Sequence, residues 1–242
     1  MRISRSIVPN LFTLANVFCG FSAIIATADG KFNEAGFYIL FAGIFDALDG
    51  FVARLTRSAS PLGVQLDSLC DAVSFGIAPS FLLYEVCLKN VHPFGILLAS
   101  LPALAGVFRL ARFNVELTSL EDKLYFTGMP IPAGALTLIS YILFFGSGQY
   151  GALFHTEYDA ALVSIIVSLI MVSRIKYDNL PRPSIKAIKE NPIKFAIFIL
   201  AVILIISTQG NGLFPFMMFY IISGIVRYFV IGKTTKKVSK AK

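Results

Sequence analysis

The chain has 242 residues, of which 56% are apolar and only 14% charged, with a mean hydropathy of +0.76. A soluble domain carries about 25% charged residues, and a disordered chain is poor in aromatics, whereas this one holds 23 Phe; both classes are excluded and an integral membrane protein remains. The formal charge of +7 does not mark a nucleic-acid binder, because the basic residues lie between apolar runs instead of forming one patch.

Stretches long enough to cross about 30 Å of hydrocarbon are expected near Pro9–Thr27, Ala35–Leu55, Leu62–Leu88, Phe94–Leu110, Ile131–Gly146, Ala160–Ser173, Phe195–Thr208 and Gly212–Ile231. The first resembles a signal peptide, with Arg2 and Arg5 ahead of an apolar run. The bulky Phe18 before Cys19 does not suit a small-residue cleavage site, so it reads as a retained helix. Cys19, Cys70 and Cys87 form neither an even set nor a CxxC pair and read as small helix-packing hydrophobes. Between the last two stretches, Gln209-Gly210-Asn211-Gly212 supplies a turn.

Nineteen of the 21 Lys and Arg residues fall at the N-terminus, in alternate loops and in the C-terminal tail; only Lys31 and Lys89 fall on the other side. The positive-inside rule then puts both termini in the cytoplasm and requires an even number of helices. The expected architecture is an all-α polytopic bundle of eight helices. It divides into a six-helix catalytic unit over 1–176, a cytoplasmic linker over 177–194 containing Pro181, Pro183 and Pro192, and a helix pair with a basic tail over 195–242.

Four carboxylates lie where lipid is expected: Asp46 and Asp49 in the second stretch, Asp67 and Asp71 in the third. Each charge near the bilayer centre costs about 2.5–3.5 kcal/mol, so a cationic partner is required. Asp46, Asp49, Gly50, Ala53 and Arg54 share one helical face, as do Gly63, Asp67 and Asp71. Folded antiparallel about a loop near residue 58, the two stretches bring all four carboxylates to one depth, inside the cytoplasmic edge. Arg54 and Arg57 are the nearby cations, too few for four charges. A donor set of oxygens alone points to hard divalent cations, Mg²⁺ or Mn²⁺ with Ca²⁺ as a further candidate. Two such ions sharing carboxylates suit phosphoryl transfer. A proton relay in a transporter is the rival reading, weakened by the off-centre cluster and the lack of an inverted repeat.

The run Asp46-x2-Asp49-Gly50-x2-Ala53-Arg54-x8-Gly63-x3-Asp67-x3-Asp71 resembles, with no departure, the signature of the CDP-alcohol phosphatidyltransferases. Pro9-Asn10-x2-Thr13 is similar to that family's start of the first helix. The resemblance spans six helices; the last two look like an appendage. It implies that Asp46, Asp49, Asp67 and Asp71 hold two metal ions against the pyrophosphate of a CDP-linked lipid, with Asp71 as general base. It also implies that Asn10, Thr13, Gly50, Ala53, Arg54, Ser60 and Gly63 line the CDP-lipid site, and that the protein is a homodimer.

Three segments resemble the serine-using branch of the family: Asp67 to Pro79, Arg109-Leu110-Ala111-Arg112-Phe113-Asn114, and Gly128-Met129-Pro130-Ile131-Pro132. Arg109 and Arg112, with Asn114, are the candidate acceptor contacts, since an arginine can grip a carboxylate bidentately. A phosphorylated acceptor such as glycerol 3-phosphate would also suit two arginines. Glu116 is a candidate partner for a serine ammonium or a solvated loop residue. His92 and His155 fall in outer-side loops, away from the aspartates. The expected activity is transfer of a phosphatidyl group from CDP-diacylglycerol to L-serine, at the cytoplasmic face of the inner membrane, with no nucleic-acid partner.

Overall fold

The computed structural model describes residues 7–56, 58, 60–117, 126–146, 157–177 and 212–239. Four helices lead the chain: α1 (Ile7–Ala28), α2 (Phe32–Thr56), α3 (Pro61–Leu88) and α4 (Gly95–Leu117). All four are long and apolar enough to cross a membrane. Then follow α5 (Ile131–Tyr141, continued by a π-helical turn Ile142–Gly146), α6 (Glu157–Val172) and α7 (Leu213–Ser239). The chain is thus all-helical as expected, apart from an antiparallel pairing of β1 (Phe126–Thr127) with β2 (Lys176–Tyr177) that draws together the ends of α4–α5 and α6. Seven of the eight expected segments coincide with these helices. The seventh, Phe195–Thr208, and the linker beyond Tyr177 lie outside the described residues, as do Arg57 and His155.

Local signals explain the ends. Ser60 is the N-cap of α3, its hydroxyl accepting the Gly63 N–H at 3.0 Å, and Pro61 follows at the first helical position, where its missing N–H costs nothing. Gly30 turns between α1 and α2 at φ +75°, a conformation open to glycine. At the far end of α3 Lys89 pairs with Glu85 at 2.7 Å. α4 runs on to Leu117, past the expected end at Leu110, because Ala111 to Asn114 continue the helix beyond the apolar stretch.

α3 is not a regular rod. Its α-helical turns are interrupted by π-helical segments at Ala72–Ile77, directly after Asp71, and at Tyr84–Leu88. Each wider turn rotates the residues that follow, and such insertions cluster at functional sites. The distribution of side chains is that of a bundle in lipid. Phe18, Phe21, Phe37 and Phe41 point outward, while the interior holds small and aliphatic residues such as Ala23, Ala35, Ile39, Ala78 and Leu82. The same interior holds Thr13, Asn16, Asp49, Asp71, Ser74 and Arg109. Polar groups at such depth are concentrated where function requires them. All three cysteines are buried and unbridged, as their expected packing role requires.

Candidate active site

The site begins with the α2–α3 hairpin. One oxygen from each of Asp46, Asp49 and Asp67 lies within 4.8 Å of the other two. Asp49 is buried; Asp46 and Asp67 are partly exposed. Asp71, one turn beyond Asp67 on α3, is buried beside this trio and not part of it.

Helix α1 supplies the hydrogen bonds. The Thr13 hydroxyl lies 2.7 Å from Asp49 Oδ2, to which it donates, and 3.2 Å from the Pro9 carbonyl. Asn16 Nδ2 donates to Asp71 Oδ1 at 3.1 Å, and the Ser74 hydroxyl donates to the Asn16 carbonyl at 3.0 Å. The close crossing of α1 and α3 needs Gly20: a Cβ there would sit 2.8 Å from Ser74 Cα.

The trio suits a hard divalent cation. Its donors are carboxylate oxygens only, spaced to meet on one ion, and Asp67 Oδ1 is buried with no hydrogen-bond partner among the described residues. Anions brought this close repel one another unless a cation lies between them.

The expected CDP-lipid residues fall into two groups. Asn10, Ser60 and Gly63 converge, since a Cβ on Gly63 would lie 3.2 Å from Ser60 Oγ and 3.5 Å from Asn10 Oδ1. On α2 the Arg54 guanidinium folds back over Gly50, within 3.4 Å of where a Cβ would stand, and within electrostatic reach of Asp49. Ala53, between them on the helix, is half-buried. Thr13 faces Asp49 instead of either group.

The three expected acceptor residues separate. Arg109 is 6% exposed, lies within electrostatic reach of Asp71 and stacks over Phe113 with 5.9 Å from Cζ to the ring centre. Arg112 instead reaches the end of α6, donating to the carbonyls of Val172 at 3.0 Å and Ser173 at 3.4 Å, a helix C-terminus that favours a cation. Asn114 bonds to Ser68 at 3.0 Å and to Gln65 at 3.4 Å, tying α4 to α3 next to Asp67. The Glu116 side chain lies outside the described residues, and His92 is exposed, far from the aspartates in sequence.

Sequence reasoning missed Asn16, Ser68, Ser74 and Gln65 as members of this network. Asn16 left one legible signal, an amide three residues after Thr13 inside an apolar stretch, which puts both on one face of the helix. Arg109 as the neighbour of Asp71 left none, because nothing local relates α4 to α3.

Comparison with known proteins agrees with this geometry. The chain is 34% identical over 221 residues to the CDP-diacylglycerol–serine O-phosphatidyltransferase of Helicobacter pylori, covering 91% of this chain and 90% of that one. It is 38% identical over 172 residues to the archaetidylserine synthase of Methanothermobacter thermautotrophicus, covering 70% and 69%. It is 36% identical over 176 residues to the CDP-diacylglycerol–serine O-phosphatidyltransferase of Bacillus subtilis, covering 71% of this chain and 90% of that one. The family model for CDP-alcohol phosphatidyltransferases matches residues 6–172, a span that takes in every helix from α1 to α6 and all four aspartates, and the chain belongs to that family of phosphotransferases.

Proposed function

We propose that the protein transfers a phosphatidyl group from CDP-diacylglycerol to L-serine, giving phosphatidylserine and CMP, by a single displacement. The observation that carries the chemistry is the oxygen-only cluster of Asp46, Asp49 and Asp67 with Asp71 beside it. The choice of serine is supported by the relatives, whose names specify serine or its archaeal lipid counterpart.

In this reading Asp46, Asp49 and Asp67, with Asp71, hold two divalent ions, Mg²⁺ or Mn²⁺, with Ca²⁺ a further candidate. When bound, such ions supply positive charge to the phosphoryl oxygens as negative charge develops there. Asn10, Ser60, Gly63, Gly50, Ala53 and Arg54 form the CDP end of the site, with Thr13 behind it on Asp49. Glycine at 50 and 63 keeps the helix surface low where a bulky nucleotide must approach. Asp71 accepts the serine hydroxyl proton while the serine oxygen forms its bond to phosphorus and CMP leaves with the electron pair of the broken P–O bond. Arg109 takes the serine carboxylate, being buried, planar and within electrostatic reach of Asp71. Asn114, through Ser68, holds the adjoining stretch of α3, and Arg112 anchors α6 against α4.

The protein is read as an eight-helix, multi-pass component of the inner membrane, with both termini and the active site on the cytoplasmic side. The support is the distribution of Lys and Arg. The site then receives nucleotide and serine from water while the acyl chains stay in the leaflet. The catalytic unit is taken as 1–176, followed by a linker over 177–194 and a helix pair over 195–242. The Bacillus relative supports that division, since 71% of this chain accounts for 90% of its length. A homodimer in the membrane completes the reading.

CMP release by the purified protein in detergent tests it, with CDP-diacylglycerol, Mn²⁺ or Mg²⁺, and L-serine, glycerol 3-phosphate, inositol phosphate or no acceptor. Release that requires serine and metal, and that Asp71→Asn abolishes, is expected. Release with glycerol 3-phosphate alone would keep the chemistry and move the acceptor. No release with any acceptor from folded, metal-loaded protein would remove the enzyme reading in favour of transport.

A further inference from the structure

We infer that α1 carries a positioning pair: Thr13 sets Asp49 for metal binding, and Asn16 sets Asp71 for its reaction with the acceptor hydroxyl. The inference rests on the reading of the aspartates given above and adds to it two residues that act through others.

The two side chains lie three residues apart on one face of α1, while Leu14 and Phe18 on the other face point to lipid. Thr13 is 3% exposed and Asn16 is not exposed at all. A hydroxyl and an amide at such depth are costly unless bonded, and each bonds a different carboxylate, from α2 and α3 respectively. Asn16 is itself held from behind, where the Ser74 hydroxyl donates to its backbone carbonyl. Its Oδ1 is buried with no partner among the described residues. Leucine would fill the same space without that unmet acceptor, so packing alone does not account for an amide here.

The bonds act on the geometry of the carboxylates. A free carboxylate turns about its last torsion and presents four lone-pair positions. Once Asn16 occupies Oδ1 of Asp71, that rotation is fixed and the second oxygen is left for the proton. Thr13 does the same at Asp49 through Oδ2, fixing the orientation of that carboxylate against Asp46 and Asp67. Outer hydrogen bonds of this kind orient metal ligands, and their loss costs about 10–100-fold in affinity or activity.

The two halves separate experimentally. Full-length Thr13→Val, Thr13→Ser, Asn16→Leu and Asn16→Ala are purified in detergent. Mn²⁺ binding is followed by electron paramagnetic resonance of the free ion without substrates, and steady-state kinetics with CDP-diacylglycerol and serine. Thr13→Val is expected to raise the Mn²⁺ Kd about 10–100-fold, and Thr13→Ser to restore it. Asn16→Leu and Asn16→Ala are expected to lower kcat about 10–100-fold, with both KM values within about 3-fold of wild type. Wild-type Mn²⁺ affinity in Thr13→Val overturns the first half, and wild-type kcat in both Asn16 variants the second. A parallel fall of kcat, Mn²⁺ affinity and thermal midpoint in all the variants, Thr13→Ser included, overturns both, leaving a packing role. The Mn²⁺ titration needs no turnover. If Asp71→Asn keeps wild-type kcat, the base reading and the Asn16 half therefore fall together while the Thr13 half is still decided on its own.

Discussion

Arg109 shows how much a single residue can depend on a contact that local sequence does not announce. The motif around the aspartates supplied only Arg54 and Arg57 as nearby cations; Arg54 turns out to be exposed on α2, and the buried arginine near Asp71 comes from α4. The carboxylates themselves were legible because their spacing is local and one short loop joins their helices. Arg112 was expected to share the task of Arg109 by the same helical periodicity, yet it closes the end of α6. Three residues on a helix turn a side chain by about 60°, enough to face a different neighbour. Arg109→Lys keeps the charge and loses the planar fork. It is expected to raise KM for serine by about 10-fold or more and to leave KM for CDP-diacylglycerol within about 3-fold. An unchanged serine KM in CMP-release kinetics would remove the carboxylate assignment.

At the scale of elements, the crossing of α1 over α3 decides whether the site exists. Gly20 stands against Ser74, and the Asn16–Asp71 bond lies one turn away on the same pair of helices. Gly20→Ala places a methyl against the Ser74 backbone, which cannot swing aside as a flexible side chain would. Overpacking of this kind costs about 1–3 kcal/mol. The expected outcome is a lower thermal midpoint in detergent together with reduced CMP release, and a midpoint equal to wild type would contradict it. Helix positions were read well from apolar run lengths, because a membrane span has a minimum length. What run length does not reveal is phase. The π-helical turn at Ala72–Ile77 rotates the second half of α3 away from the face that Gly63, Asp67 and Asp71 define, and no periodicity argument built on a regular helix finds it.

Taken as a whole molecule, the part outside the family match is joined to the part inside it. Phe214 of α7 lies among Tyr141, Phe144 and Phe145 at centroid distances of 5.9, 5.6 and 5.2 Å, and Met217 and Ile221 are buried. Tyr220, on the same helix, lies within electrostatic reach of Arg109. Helix α7 therefore borders the Arg109 side of the aspartate cluster. Tyr220→Phe, which removes one hydroxyl and little packing, is expected to raise KM for serine about 3–10-fold with kcat nearly unchanged, a loss of the size of one hydrogen bond. Equal values for variant and wild type would leave α7 as scaffold alone. The layout also has a consequence for biogenesis. Synthesis from the N-terminus brings Thr13 and Asn16 into the membrane first, the four aspartates next, and Arg109 only with the fourth helix. Donors are waiting when the carboxylates arrive, but the buried countercharge is not. Nascent α2–α3 hairpins are expected to wait at the insertion machinery with their acidic face in a wet environment, or to capture cations, until α4 docks.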